Sequence, residues 1–193
     1  MRVHGDKTIR RRTDVAFQSD YKKYEPDLRK DFYNMCGYCG KHEMVSHKGM
    51  EPDHLVPVKF APDRKCDYSN LVYSCFTCNR KKSGKWPTED KYIPNDGQIG
   101  FVDPATEEFD KHLGRANSGE LEYYTPVGRY MYKEVFKFDI RPTIVSWRAS
   151  VLHQLSSELK QRINMLSEEE NEKYKEITYE LSILQEYLFE KKE

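Results

Sequence analysis

Cys36-Gly-Tyr-Cys39, then Glu51-Pro-Asp-His-Leu-Val-Pro57, then Asn70-Leu-Val-Tyr-Ser-Cys-Phe-Thr-Cys-Asn-Arg-Lys-Lys82: these three pieces of one stretch decide the fold. Two C-x-x-C pairs enclose an Asp-His dipeptide, and the second pair runs straight into Asn79. A tight C-x-x-C turn lets two thiolates share one tetrahedral ion, so Cys36, Cys39, Cys75 and Cys78 read as the ligands of a structural zinc site. The 35 residues between the pairs, 40–74, exceed what a compact zinc ribbon needs, so they must carry structure of their own. Cys66 has no partner at ligand spacing and reads as a partly buried free thiol.

Working outward, residues 50–58 form an extended segment that Pro52 and Pro57 restrict to an edge or a broken strand. Leu71-Val72-Tyr73 supplies a partner strand. Residues 76–84 read as a short helix stopped by Gly84 and Pro87. Upstream, Pro26 opens a helix with Leu28, Phe32 and Met35 on one face. Residues 1–25 show little periodicity and two basic clusters, Arg10–Arg12 and Lys22-Lys23, which predicts a loosely packed basic arm. Residues 93–142 are loop-rich, with a strand expected over 135–140. From Thr143 onward Leu152, Leu155, Leu159, Ile163 and Leu166 step by three or four, as do Ile177, Leu181, Leu184 and Leu188. Ser167-Glu-Glu-Glu170 between the two rows is a capping box, so 143–193 is expected to fold as a helical hairpin and to serve as an assembly element. The predicted organisation is thus an arm (1–25), a core (26–92), a loop-rich extension (93–142) and the hairpin (143–193), in the α+β class.

The enclosed residues suit phosphodiester hydrolysis. That reaction needs a deprotonated water and charge neutralisation on the scissile phosphate and leaving oxygen. A neutral imidazole takes a proton at neutral pH, a role open to His54. A carboxylate with an amide oxygen holds a hard divalent cation, a role open to Asp53 with Asn79. In a regular strand Asp53 and His54 point to opposite sides, so a local distortion or a wide approach is expected.

The ordered set Cys36-x-x-Cys39, Asp53-His54-x-x-Pro57, Asn70-Leu71, Cys75-x-x-Cys78-Asn79 and Lys82 closely resembles the HNH endonucleases, and it spans about a quarter of the chain. The resemblance implies a ββα-metal core clamped by a four-cysteine zinc site, with a mainly helical C-terminal extension. It implies His54 as general base, Asp53 and Asn79 as ligands of Mg²⁺ or Mn²⁺, and Asn70 as the brace of the loop presenting His54. It also implies phosphate contact by Lys82, with Arg80 and Lys81 beside it. Asn at the third signature position favours a hard cation, which leaves zinc to the cysteines. Pro52 stands where an apolar strand residue is more usual. His42 and His47 lie at no family position and read as surface histidines. Phe101-x-Asp-Pro104, His112, Gly119, Thr125, Gly128 and Arg148 resemble the extension of small stand-alone bacterial HNH proteins, several of which serve anti-phage defence beside an ATPase. His112 reads as structural.

Composition bounds the rest. With 37% apolar and 33% charged residues the chain is polar, and no run of about 18 apolar residues exists to span a membrane. The opening residues lack an apolar stretch of secretory type, so a cytoplasmic setting is expected, where cysteines bind metal more often than they pair. The zero net charge conceals an asymmetry: residues 1–92 carry 19 Lys/Arg against 13 Asp/Glu, and residues 93–193 carry 13 against 19. The basic half holds the motif, which favours a phosphate-rich partner, DNA foremost. Two further readings stand beside the nuclease: a non-catalytic zinc module that binds nucleic acid or a partner, and a nuclease subunit active only within an ATPase-containing complex. A homodimer or an ATPase partner would use the C-terminal helices.

Overall fold

The central hairpin forms where the two extended runs lie. Strand β1 (Met50–His54) pairs antiparallel with β2 (Leu71–Cys75), setting Met50 opposite Cys75 and His54 opposite Leu71. The computed structural model describes residues 1–190. Pro52 fits because the sheet has two strands, so β1 is an edge on its outer side. Every residue of β2 is buried, and the strand passes directly into helix α2 (Phe76–Lys82). The helix stops at Ser83, one residue before the expected glycine. Ser83 takes a φ of 48° and donates its N–H to the Asn79 carbonyl at 2.7 Å.

Helix α1 (Glu25–Asp31) opens on Pro26 as its sequence predicts and buries Leu28, with Phe32 closing it. It ends short of Met35 because Tyr33 and Asn34 take left-handed conformations, φ 52° and 58°, which turn the chain into the first C-x-x-C. Gly40 follows the second cysteine at φ +70°. A side chain there would stand 2.5 Å from the Val3 carbonyl oxygen, so only glycine lets the N-terminal residues cross so closely.

That crossing corrects the expected loose arm. Val3 and Ile9 are buried, and the Met1 amino group donates to the Arg115 carbonyl at 2.8 Å. The arginines of the basic cluster hold the segment down. Arg11 makes a two-pronged pair with Asp103, and Arg12 reaches Asp27 and Asp31. Their carboxylate partners lie 15 to 92 residues away in sequence, beyond the reach of periodicity.

Beyond α2 the chain forms a short helix α3 (Phe109–His112), a small hairpin of β3 (Leu113–Arg115) and β4 (Leu121–Tyr123), and helix α4 (Pro126–Arg129). Helix α4 continues as a π-helical segment, Tyr130–Val135, and a 3-10 turn follows at Phe138–Ile140, so the strand expected over 135–140 does not form. Thr125 caps Gly128 N–H, Pro126 sets the first turn, and Met131, Val135 and Phe136 then face one core with Trp86 and Phe101. Trp86 stacks on Phe101 at 5.7 Å, and Tyr38 on Phe136 at 4.8 Å. His112 is structural: its Nδ1 meets Thr125 Oγ1 at 2.6 Å.

Helices α5 (Thr143–Gln161) and α6 (Glu168–Glu190) fold back on each other. The capping box closes reciprocally, Ser167 N–H to Glu170 Oε2 at 2.9 Å and Glu170 N–H to Ser167 Oγ at 3.2 Å. Ala149, Leu181 and Leu188 pack with Val45 from the body. The apolar row of α5 is shorter than its periodicity suggests, because Ile163 falls beyond the helix and Leu155 faces out, both more than 40% exposed. The architecture is α+β, with a zinc-ready ββα core and a helical C-terminal part. No helix among the described residues is long and apolar enough to cross a membrane.

His4 offers a test of the N-terminal packing. Its buried Nε2 donates to the carbonyls of Gly37 and Cys36, and burial pulls the imidazole down to about 4. The unfolded chain protonates this group near 6.5, so its stabilising contribution is whole above pH 6.5 and is lost as pH falls towards 4. Between pH 7 and pH 5 wild type should lose about 2 kcal/mol through this group. Denaturant midpoints at both pH values should therefore converge more closely in His4→Gln than in wild type.

Candidate active site

The four C-x-x-C thiols meet at the base of the hairpin. Their Sγ atoms all lie within 4.8 Å of one another and all four residues are buried. The first turn comes from the Cys36–Gly40 loop, where Gly40 N–H donates to the Cys36 carbonyl, and the second from the β2–α2 junction. Tetrahedral Zn–S bonds of about 2.3 Å place sulfurs about 3.8 Å apart. Cys39 and Cys75 stand at 3.9 Å, so the donor set and its spacing fit such an ion. Burial first, and hydrogen bonds with the neighbouring thiols second, push Cys36 and Cys78 well up, a penalty that metal ligation would remove by stabilising thiolates.

Cations surround this cluster. Arg141 donates to Cys78 Sγ at 3.3 Å. Arg115, fully buried, donates to the carbonyls of Val3, Gly119 and Cys39, the last at 2.7 Å. Burial pulls Arg115 down to about 10, which leaves it charged at neutral pH. In a metal-loaded site the two guanidiniums would offset part of the negative charge of the four sulfur ligands. Neither was readable as such, since Arg141 is 63 residues from Cys78 and Arg115 76 from Cys39.

His54 ends β1, half-buried. Its Nε2 lies 2.8 Å from the Lys65 carbonyl, and a carbonyl only accepts, so Nε2 carries a proton, which in the neutral ring leaves the lone pair on Nδ1. The Tyr21 ring packs against the imidazole at 4.5 Å. Asn70 fixes the loop that supplies the Lys65 carbonyl. Fully buried, it accepts from Val56 N–H at 2.9 Å and donates to the carbonyls of Val56 at 3.0 Å and Arg64 at 3.4 Å. It therefore ties the start of the β1–β2 connection, at Val56, to a point along it, the residue before Lys65.

Asp53 and Glu51 point to the other side of β1, towards α2. Tyr38 donates to Asp53 Oδ2 at 2.7 Å, and Lys82 Nζ stands 3.5 Å from the same oxygen. Burial raises the Asp53 carboxyl and lowers the Lys82 ammonium, while each opposes the shift of the other. Asn79 Nδ2 donates to Glu51 Oε1 at 2.8 Å, which fixes the amide with its oxygen turned away from that carboxylate. Both contacts to Asp53 fall on Oδ2, so Asp53 Oδ1 and Asn79 Oδ1 are the hard oxygens left for a cation. The strand stays regular, without the expected distortion, so Asp53 and His54 lie on opposite faces.

Lys82 does not take the expected phosphate-contacting position. Its side chain is fully buried, Nζ donates to the His54 carbonyl at 2.6 Å, and the ammonium lies 5.5 Å over the Phe101 ring. The apolar surroundings and these two partners withdraw it from any backbone outside. Arg80 remains exposed, 3.6 Å from Glu51, and Lys81 is half-exposed. Cys66 is a half-buried thiol that donates to the Ser19 carbonyl at 3.2 Å. His42 packs beside His153 under α5, away from the hairpin. Tyr38, Glu51 and Tyr21 escaped the sequence reading. Glu51 was accessible to it, because it shares a strand face with Asp53.

The hairpin and the helix together make a ββα unit, with the His54 imidazole at the end of its first strand. Residues 36–85 match the family model described as HNH endonuclease. No curated protein and no solved structure matches the chain.

The thiol cluster makes a direct prediction. Purified protein should carry one tetrahedral metal per chain by elemental analysis. Removing it with a strong chelator, or changing Cys78→Ser, should unfold the hairpin, read as loss of near-ultraviolet dichroism.

Proposed function

We propose that the chain is a metal-dependent endonuclease hydrolysing DNA phosphodiester bonds, with His54 as general base. The observation that carries this reading is the His54 tautomer: Nε2–H is spent on the Lys65 carbonyl, so Nδ1 is the atom that accepts a proton from water. Asn70 keeps that carbonyl in place, and Tyr21 limits rotation of the ring. Zinc is the ion for the four cysteines, whose soft donors and tetrahedral spacing suit it. Asp53 Oδ1 and Asn79 Oδ1 would hold Mg²⁺ or Mn²⁺, with Glu51 orienting the Asn79 amide. Such a cation supplies charge neutralisation on the scissile phosphate and the leaving oxygen. Arg80 and Lys81, on the outer side of α2, are positioned to meet backbone phosphates.

We infer bacterial anti-phage defence or restriction as the setting, on the resemblance of the Phe101 to Arg148 residues to stand-alone bacterial HNH proteins. The hairpin of α5 and α6 exposes Ile144, Met165 and Tyr179, which favours its use against a second copy or an ATPase subunit.

Incubation with duplex DNA and Mg²⁺ or Mn²⁺ should give nicks or breaks, and EDTA should stop the reaction. Folded, zinc-loaded His54→Ala should cut at least about 100-fold more slowly. Undiminished cleavage by that variant would remove His54 from the role of base.

A further inference from the structure

We propose that Lys82 is a positioning residue that locks the end of β1, and that with Asp53 and Tyr38 it ties this strand end to the first cysteine knuckle. Its functional meaning rests on the hydrolysis proposed above. Nζ of Lys82 donates to the main-chain carbonyl of His54 at 2.6 Å and stands 3.5 Å from Asp53 Oδ2. One buried ammonium thus grips two consecutive residues of the strand, one through its backbone and one through its side chain. Asp53 Oδ2 is held in turn by Tyr38, which sits between Cys36 and Cys39, and Lys82 lies one turn beyond Cys78. Both halves of the thiol cluster therefore bear on residues 53 and 54 through a closed path.

The chemistry explains why lysine stands here. His54 is the last paired residue of β1, and after it the chain leaves the sheet for the β1–β2 connection. Beyond His54 one main-chain bond continues the ladder, Leu55 N–H to the Asn70 carbonyl at 2.8 Å, while the His54 carbonyl itself is held by Lys82; a base displaced by about 1 Å can cost about 100-fold in rate. A compact ammonium with three donors satisfies a carbonyl and a carboxylate at once. Full burial beneath Phe101 keeps water from competing for either.

The test separates positioning from phosphate contact in zinc-loaded, full-length protein. Lys82→Met keeps length and removes the charge, Tyr38→Phe removes one hydroxyl, and Lys81→Ala serves as the phosphate-contact control. Cleavage kinetics, the salt dependence of DNA binding, and the ¹⁵N resonances of the His54 imidazole are measured for each. Positioning predicts that Lys82→Met loses about 100-fold in kcat, keeps KM and the salt slope, and shifts the His54 resonances, with a smaller change in the same direction for Tyr38→Phe. A salt slope reduced by about 0.9, as for a lost phosphate contact, would overturn it, as would unaltered kcat and His54 resonances. Should Lys82→Met not fold, Tyr38→Phe decides by the same criteria. Should wild type cut no DNA, the endonuclease reading falls, and the His54 resonances alone judge the positioning.

Discussion

Closure of the chain from Cys36/Cys39 onto Cys75/Cys78 is the constraint on which the rest of the structure depends. It fastens a loop of 35 residues at its base, so the β1–β2 pairing starts beside a fixed point. Cys75 is at once a sulfur donor, the last residue of β2 and the N-cap of α2. The direction of α2 is therefore set by the cluster, and with it the places of Asn79 and Lys82. Four sulfurs in the interior are costly as thiols or as bare thiolates. An ion among them, with Arg141 and Arg115 alongside, would convert that cost into a rigid corner.

The hairpin then separates two kinds of environment across a single strand. On the α2 side Glu51 and Asp53 meet Asn79, Tyr38 and Lys82, the last of them fully buried. On the opposite side His54 meets Tyr21 and the Lys65 carbonyl, half-open to solvent. The imidazole is thus anchored through its Nε2–H, while the carboxylate side is organised by buried charge. The paired register of the two strands ends at His54 and Leu71, where the two faces come closest to the β1–β2 connection.

The flanking segments serve this centre by packing. Residues 1–25 bring Val3 across the knuckle, His4 to its carbonyls and Tyr21 to His54. The extension contributes Phe101 above Lys82 and Phe136 against Tyr38. The residues whose spacing in the extension looks scattered are brought together in space: His112 meets Thr125, and Gly128 packs so closely on the His112 carbonyl that a side chain there would clash at 2.0 Å.

Local signals in the chain were enough to determine the hairpin and its helix, the cysteine set and the capping box at Ser167. Each of these depends on residues within a turn or a strand, or on a donor type whose spacing has one good use. Only the tertiary structure decided what lies between elements. Lys82 looked like a surface cation on a basic helix, and became a buried clamp because Phe101 and Asp53 arrive from other segments. The first 25 residues looked like a loose arm, and became part of the core because their arginines find carboxylates as distant as Asp103. The run over 135–140 looked extended, and became helical turns because its aromatic residues face a core assembled from Trp86 and Phe101. Charge and apolar surface state what a residue needs, whereas the partner that satisfies it is chosen by the folded chain.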